Sequence, residues 1–128
     1  MTTRMRFKVG EAAALLGVSD DTVRRWADAG RLTLEGSPAT VAGTELAALA
    51  RELADPAVAP GRSSARNRLT GIVTRVTKDG VMAQVELQAG PFRVVSLMSR
   101  EAADELELQP GVLATATVKA TNVTVELS

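Results

Sequence analysis

Cysteine, histidine and tyrosine are all absent from this sequence. Without cysteine there is no disulfide framework, no thiolate nucleophile and no zinc knuckle. Without histidine the commonest general base, the commonest metal ligand and every Ser-His triad are missing. Carboxylates and lysines are all that remain for catalysis, and no pair of them stands out. The chain therefore reads as a binding protein, with no catalytic residues and no metal-cation site. Aromatic residues are nearly absent too: Phe7, Trp26 and Phe92 are the whole set. Cores must then be built from Ala, Val and Leu, which bury less area per residue than rings do. Small aliphatic cores are marginal alone, which points to help from oligomerisation. No stretch approaches the ~20 apolar residues of a membrane span, and the basic start MTTRMRFKVG is not followed by a signal-type apolar region. These absences predict a cytoplasmic protein with no membrane partner.

Net charge is absent as well, with 15 Lys/Arg against 15 Asp/Glu. Residues 1–55 hold seven basic and eight acidic side chains, residues 62–68 three arginines and no acid, and residues 69–128 five basic against seven acidic. A general nucleic-acid coat needs an excess of basic charge, so any DNA binding must come from local geometry.

What the chain does contain is a change of period. Ala and Leu recur at helical spacing in GEAAALLGV, DDTVRRWADAG and TELAALARELAD, broken by Gly17, Gly30 and the Gly36-Ser37-Pro38 turn. In the second half VMAQVEL, VLATATVKA and VTVEL alternate apolar and polar residues, with turns at Lys78-Asp79-Gly80 and Ala89-Gly90-Pro91. A helical island from Ser99 to about Gln109 interrupts them, with Ser99 as N-cap and Pro110-Gly111 as the stop. Between the halves lies DPAVAPGRSS, of linker composition. The expected fold class is α+β: an N-terminal all-α (winged) helix-turn-helix domain over 1–55, a linker over 56–63, and a C-terminal all-β OB-like barrel with one short helix over 64–128.

In the window Val9–Asp28, Ala13 and Gly17 are four apart, where two helices must approach and turn. Val18, Val23 and Trp26 then face inward, with Trp26 a core anchor. Ser19 can cap the second helix, and Asp20 and Asp21 suit its positive end. Thr22, Arg24 and Arg25 are left exposed, as an ordinary solvated face or as a recognition surface. The stretch FKVGEAAALLGVSDDTVRRWADAGRL resembles the excisionase/MerR-type winged helix-turn-helix family. The resemblance implies double-stranded DNA as partner, with Ser19, Thr22, Arg24 and Arg25 as groove and phosphate contacts. The sequence departs from that family in its wing, TLEGSPATVAG, which has no basic residue. Thr44–Leu53 is expected to pack behind it as a helix.

RSSARNRLTG places Arg62, Arg66 and Arg68 within seven residues. A tetrahedral dianion offers only acceptor oxygens, so its site needs donors; Ser64, Arg66 and Asn67 supply hydroxyl, guanidinium and amide groups. Lys119 and Thr121 are expected on one strand face with Thr115 and Thr117, and backbone N–H groups near Ala120 could form an anion nest. Lys119 by itself reads as a solvated strand lysine, a reading that gives way beside SARN. SARNRLTGIV, SREAADELELQPG and VKATNV together resemble the molbindin (Mop, or TOBE) domain. The resemblance implies molybdate or tungstate as bound ligand, and no other cofactor. It implies Ser64, Arg66, Lys119, Ala120 and Thr121 as ligands with Asn67 in support, the two patches meeting across a subunit interface. The two-part plan resembles that of ModE-type molybdate-responsive regulators. The expected function is a regulator whose oxyanion occupancy modulates DNA affinity; the alternative is a storage or buffering protein whose helix-turn-helix serves assembly.

Overall fold

A computed structural model describes residues 5–54 and 63–128. The chain divides into two units, Met1–Asp55 and Pro56–Ser128. The expected linker at 56–63 lies, apart from Ser63, outside the described residues, as does Arg62.

The first unit runs β1 (Arg6–Lys8), α1 (Val9–Leu16), α2 (Asp20–Asp28), β2 (Thr40–Ala42) and α3 (Gly43–Leu53). Helix α1 opens with the Lys8 N–H donating to the Glu11 carboxylate at 2.8 Å. It stops at Gly17, whose φ of 68° is the left-handed region that favours glycine, and the Val18 N–H returns to the Ala13 carbonyl at 3.0 Å. Two residues later Ser19 caps α2, accepting from the Thr22 N–H at 3.2 Å. The small side chain at Ala13 and the glycine stop thus bring the two helices together around Val23, which is fully buried. Val9, Ala12, Ala13, Val23, Leu32, Val41, Leu46 and Leu49 make the core, with Phe7, Val18 and Trp26 packed half-buried against it. Strands β1 and β2 pair antiparallel, Phe7 opposite Val41, and close the unit. The wing is a short loop, bridged Glu35 to Thr40.

The second unit runs β3 (Asn67–Lys78), β4 (Met82–Ala89), β5 (Phe92–Ser99), α4 (Arg100–Glu105) and β6 (Leu113–Val118). Its four strands form one antiparallel sheet in the order β5-β4-β3-β6, curled into a half-barrel. Curling needs close approach at one point: at Gly71 any Cβ would overlap the Gln88 carbonyl. A bulge between Val73 and Arg75 shifts the register and puts Arg75 opposite Glu86. The Glu86 carboxylate, largely buried on the outer face, is held by Arg93, whose Nε donates at 2.6 Å, with Arg75 Nε at 3.9 Å. On the inner face Val73, Val85 and Leu87 are buried, with Val76, Val94, Met98, Leu108 and Val112 packed partly against them.

Two strand-level expectations change. The helical island is only Arg100–Glu105: Ser99 does cap it, accepting from the Ala102 N–H at 3.0 Å, but Glu107 takes a positive φ of 53° and ends the helix early. VTVEL forms no strand, although its pattern alternates. A strand requires a neighbour's N–H and C=O groups, and among the described residues none pair with this segment. Val125 and Leu127 are 88% and 100% exposed. No helix among the described residues is long and apolar enough to cross a membrane.

Candidate functional site

The second unit brings its two singled-out patches to one corner. Strand β6 pairs with the first half of β3, over Asn67–Ile72, and the outermost pair is Asn67 with Val118. The Asn67 side-chain amide donates to the Val118 carbonyl at 3.1 Å, fastening the start of one patch to the start of the other. Arg66 and Lys119 are the next residues outward from that pair, both exposed. Ser63 orders the approach: its Oγ accepts from the Ala65 N–H at 3.1 Å, and its carbonyl accepts from Arg66 Nη1 at 3.1 Å. Ala65 is buried, which turns Ser64 and Arg66 to solvent on either side of it. Ser63 was not among the expected site residues; its signal is the double serine ahead of the arginine.

Lys119, Ala120 and Thr121 are not on a strand face, as the alternation suggested. Strand β6 ends at Val118, and Ala120–Asn122 form a 3₁₀ turn that starts from Lys119. The Asn122 N–H donates to the Lys119 carbonyl at 2.9 Å, so the turn is closed. The N–H groups that open such a turn, here those of Ala120 and Thr121, have no carbonyl partner within it. The change of geometry separates Lys119 and Thr121 from Thr115 and Thr117. Thr115 instead shares a hydroxyl contact with Thr70 at 2.9 Å, and Thr117 faces Arg68 in the ladder. Ser64, Arg66, Asn67, Lys119, Ala120 and Thr121 supply hydroxyl, guanidinium, amide, ammonium and N–H donors, and no carboxylate. Within one chain the ladder sets the ends of the two patches side by side at Asn67 and Val118.

The inner face of the half-barrel holds a cavity of about 470 Å³ between Val85, Leu87, Met98, Leu108 and β6. Its lining is aliphatic apart from a few hydroxyls, which suits packing and not anion binding.

In the first unit the other expected residues lie on one helix. Ser19 and Thr22 share a hydroxyl contact at 2.9 Å, and Arg25 Nη2 donates to the Thr22 Oγ1 at 3.1 Å. Arg24 and Arg25 are exposed, with Arg24 making no side-chain bond among the described residues. Asp20 leans back, its Oδ2 close to where a Cβ on Gly10 would stand, over the first turn of α1. The wing's one charge is engaged: Arg6 pairs with Glu35 at 3.7 Å and donates to Thr40 Oγ1 at 2.9 Å.

Comparison with known proteins covers both units. The family model for the TOBE domain matches residues 63–125, and a model described as a helix-turn-helix domain matches residues 7–53. The molybdenum-pterin-binding protein MopA of Rhodobacter capsulatus is 45% identical over 65 residues, half of this chain and 24% of MopA. The chain therefore spans about a quarter of that relative's length. Molybdenum-pterin-binding protein 2 of Clostridium pasteurianum is 41% identical over 61 residues, 47% of this chain and 90% of the relative. A solved molybdate-binding protein from Sporomusa ovata matches with a TM-score of 0.50 and 32% identity, over 52% of this chain and 98% of its own.

Proposed function

The chain belongs to the TOBE (molbindin) family through its C-terminal half, and from that premise, with a helix-turn-helix in front, we propose that it is a molybdate- or tungstate-responsive DNA-binding regulator. The observation that carries the reading is the corner fastened by Asn67 and Val118, where two donor-bearing patches without a carboxylate, over fifty residues apart, become neighbours. Ser64, Arg66, Lys119 and the N–H groups of Ala120 and Thr121 would hold the oxyanion, with Asn67 in support. A dianion suits such a set because every contact is a donor to an acceptor, and two cations offset its charge.

Arg66 and Lys119 are exposed, the segment 123–127 has a strand's pattern without a strand's partner among the described residues, and both features favour completion by a second copy. The working form is a homo-oligomer, at least a dimer, in the cytoplasm. Anion binding between copies would favour one arrangement of the subunits. DNA affinity would then shift by the anion's differential affinity for the two arrangements, and by no more. In the first unit Ser19, Thr22, Arg24 and Arg25 would contact double-stranded DNA. The site calls for no other cofactor and no catalytic step.

A melting series with molybdate, tungstate, sulfate and phosphate tests the anion site. An anion at ~100 times its dissociation constant stabilises by roughly 2.7 kcal/mol. Molybdate or tungstate should raise the midpoint of the second unit, and Arg66→Ala or Lys119→Ala should abolish the rise with folding retained. No response to either anion would sink the reading. One observation favours a second function, oxyanion storage with the helix-turn-helix serving assembly: Arg6 is engaged by Glu35 and Thr40, and the wing offers no cation for phosphate. A gel shift on the DNA upstream of the coding region separates the two, since a storage protein leaves it unshifted.

A further inference from the structure

The two exposed arginines of α2 are adjacent in sequence but differently held. Arg25 is tethered: its Nη2 donates to Thr22 Oγ1 at 3.1 Å, and that hydroxyl is in turn 2.9 Å from Ser19 Oγ. Ser19 is itself fixed, because it caps the helix by accepting from the Thr22 N–H. The relay Ser19–Thr22–Arg25 thus runs along one stripe of the first two turns and ends on a guanidinium. Arg24 projects one residue earlier, roughly 100° around the helix, with no such tether among the described residues.

A guanidinium that must read a base edge needs a fixed plane, because two parallel N–H donors have to meet two acceptors. One that only neutralises phosphate needs reach and no fixed plane. Tethering through one Nη leaves the remaining donors of Arg25 free and removes rotamer freedom before binding, which lowers the entropy lost on contact. We infer that Arg25 is the specificity-determining arginine, reading a guanine in the major groove, that Thr22 is its positioning residue, and that Arg24 serves the phosphate backbone. This division of labour rests on the DNA-binding reading above.

The test uses the full chain and a pool of randomised duplexes, followed by binding of the selected duplex and its single-base variants across a salt series. Wild type should select a duplex with one G·C pair whose replacement costs about 5- to 150-fold in affinity. Thr22→Val keeps the shape and the capped N–H but removes the hydroxyl; it should lose most of that discrimination, the affinity for the selected duplex falling towards that for its single-base variants. Thr22→Ser, which restores a hydroxyl, should recover it. Arg24→Ala should weaken all duplexes alike and lower the salt slope by about one. If Thr22→Val keeps full discrimination, or if Arg24→Ala removes the base preference, the division of labour is wrong while DNA binding stands. If wild type selects no duplex at all, the DNA-binding reading falls and takes this inference with it.

Discussion

The N-terminal unit buries eight aliphatic residues inside a span of fifty, whereas the C-terminal unit, though longer, leaves Leu97, Leu113, Val125 and Leu127 more than two-thirds exposed. Both are poor in aromatics, so the difference is one of closure. In the first unit α1, α2 and α3 surround Val23 and Val41, and the β1–β2 pair caps the remaining side. In the second the sheet curls but does not close, its core cluster is just Val73, Val85 and Leu87, and its last apolar segment lies unpaired. A self-sufficient unit can act as a head carried on something else. A unit with surplus apolar surface gains stability from a neighbour and can couple a ligand to assembly.

The sharpest way to break this contrast is to destroy the closed core. Val23→Asp would put an unpaired carboxylate where the side chain is fully buried. Loss beyond about 4 kcal/mol is expected, enough to unfold a small unit. If the units are independent, calorimetry should show the first transition gone, with the second and its anion response unchanged. Loss of both transitions would mean that the C-terminal unit depends on the head. The converse change, Val125→Asp with Leu127→Asp, touches residues that bury nothing within one chain. It should leave the first unit's melting unaltered, lower the assembly state by sedimentation, and remove the roughly 2.7 kcal/mol of anion stabilisation expected at ~100 times the dissociation constant. An unchanged assembly state would mean that the open half-barrel is complete as a single chain.

How much of this was legible in the sequence follows the same divide. In the first unit local signals agree: Gly17 as helix stop, Ser19 as cap, Val23 and Trp26 inward, Thr44–Leu53 as backing helix. Each depends on residues within a few positions, so reading along the chain suffices. In the second unit alternation marked β4 and β6 but mis-stated the end. Lys119 and Thr121 leave the ladder for a 3₁₀ turn, and VTVEL has the pattern of a strand and no strand beside it. Strand pairing is non-local, and alternation cannot say whether a partner exists or in which copy. The clasp of Glu86 by Arg93 and Arg75 was invisible for the same reason, since it depends on the pairing of β5 with β4 and on the β3–β4 register shift at Val73/Arg75. The wing's lack of basic residues was legible; that Arg6 engages its one acid was not.

The smallest expected effect lies in acid, in the second unit. Two carboxyls in the second unit sit below the usual carboxylate range. Asp79 is held there by the N–H groups of Met82 and Val81, with Arg100 adding to them, and Asp104 by a hydrogen bond from Lys78 with Arg100 beside it. A carboxyl whose folded value is depressed contributes stability that is present above its unfolded value and is lost as pH falls through the folded one. Below about pH 4 these two contributions fade, and they fade from the β3–β4 turn and α4. Both groups are exposed, so the effects are modest and distinguishable by salt. The Lys78–Asp104 pair is an ion pair that counterions screen, whereas the Asp79 contact is mainly a pair of backbone hydrogen bonds. Asp104→Asn should therefore lower the midpoint of the second unit at neutral pH, by an amount that shrinks in high salt and vanishes in acid. Asp79→Asn keeps an acceptor for the turn but cannot titrate, so its deficit should also vanish in acid yet persist in salt. Equal salt sensitivity in the two variants would mean that Arg100, and not the Met82 and Val81 N–H groups, holds Asp79.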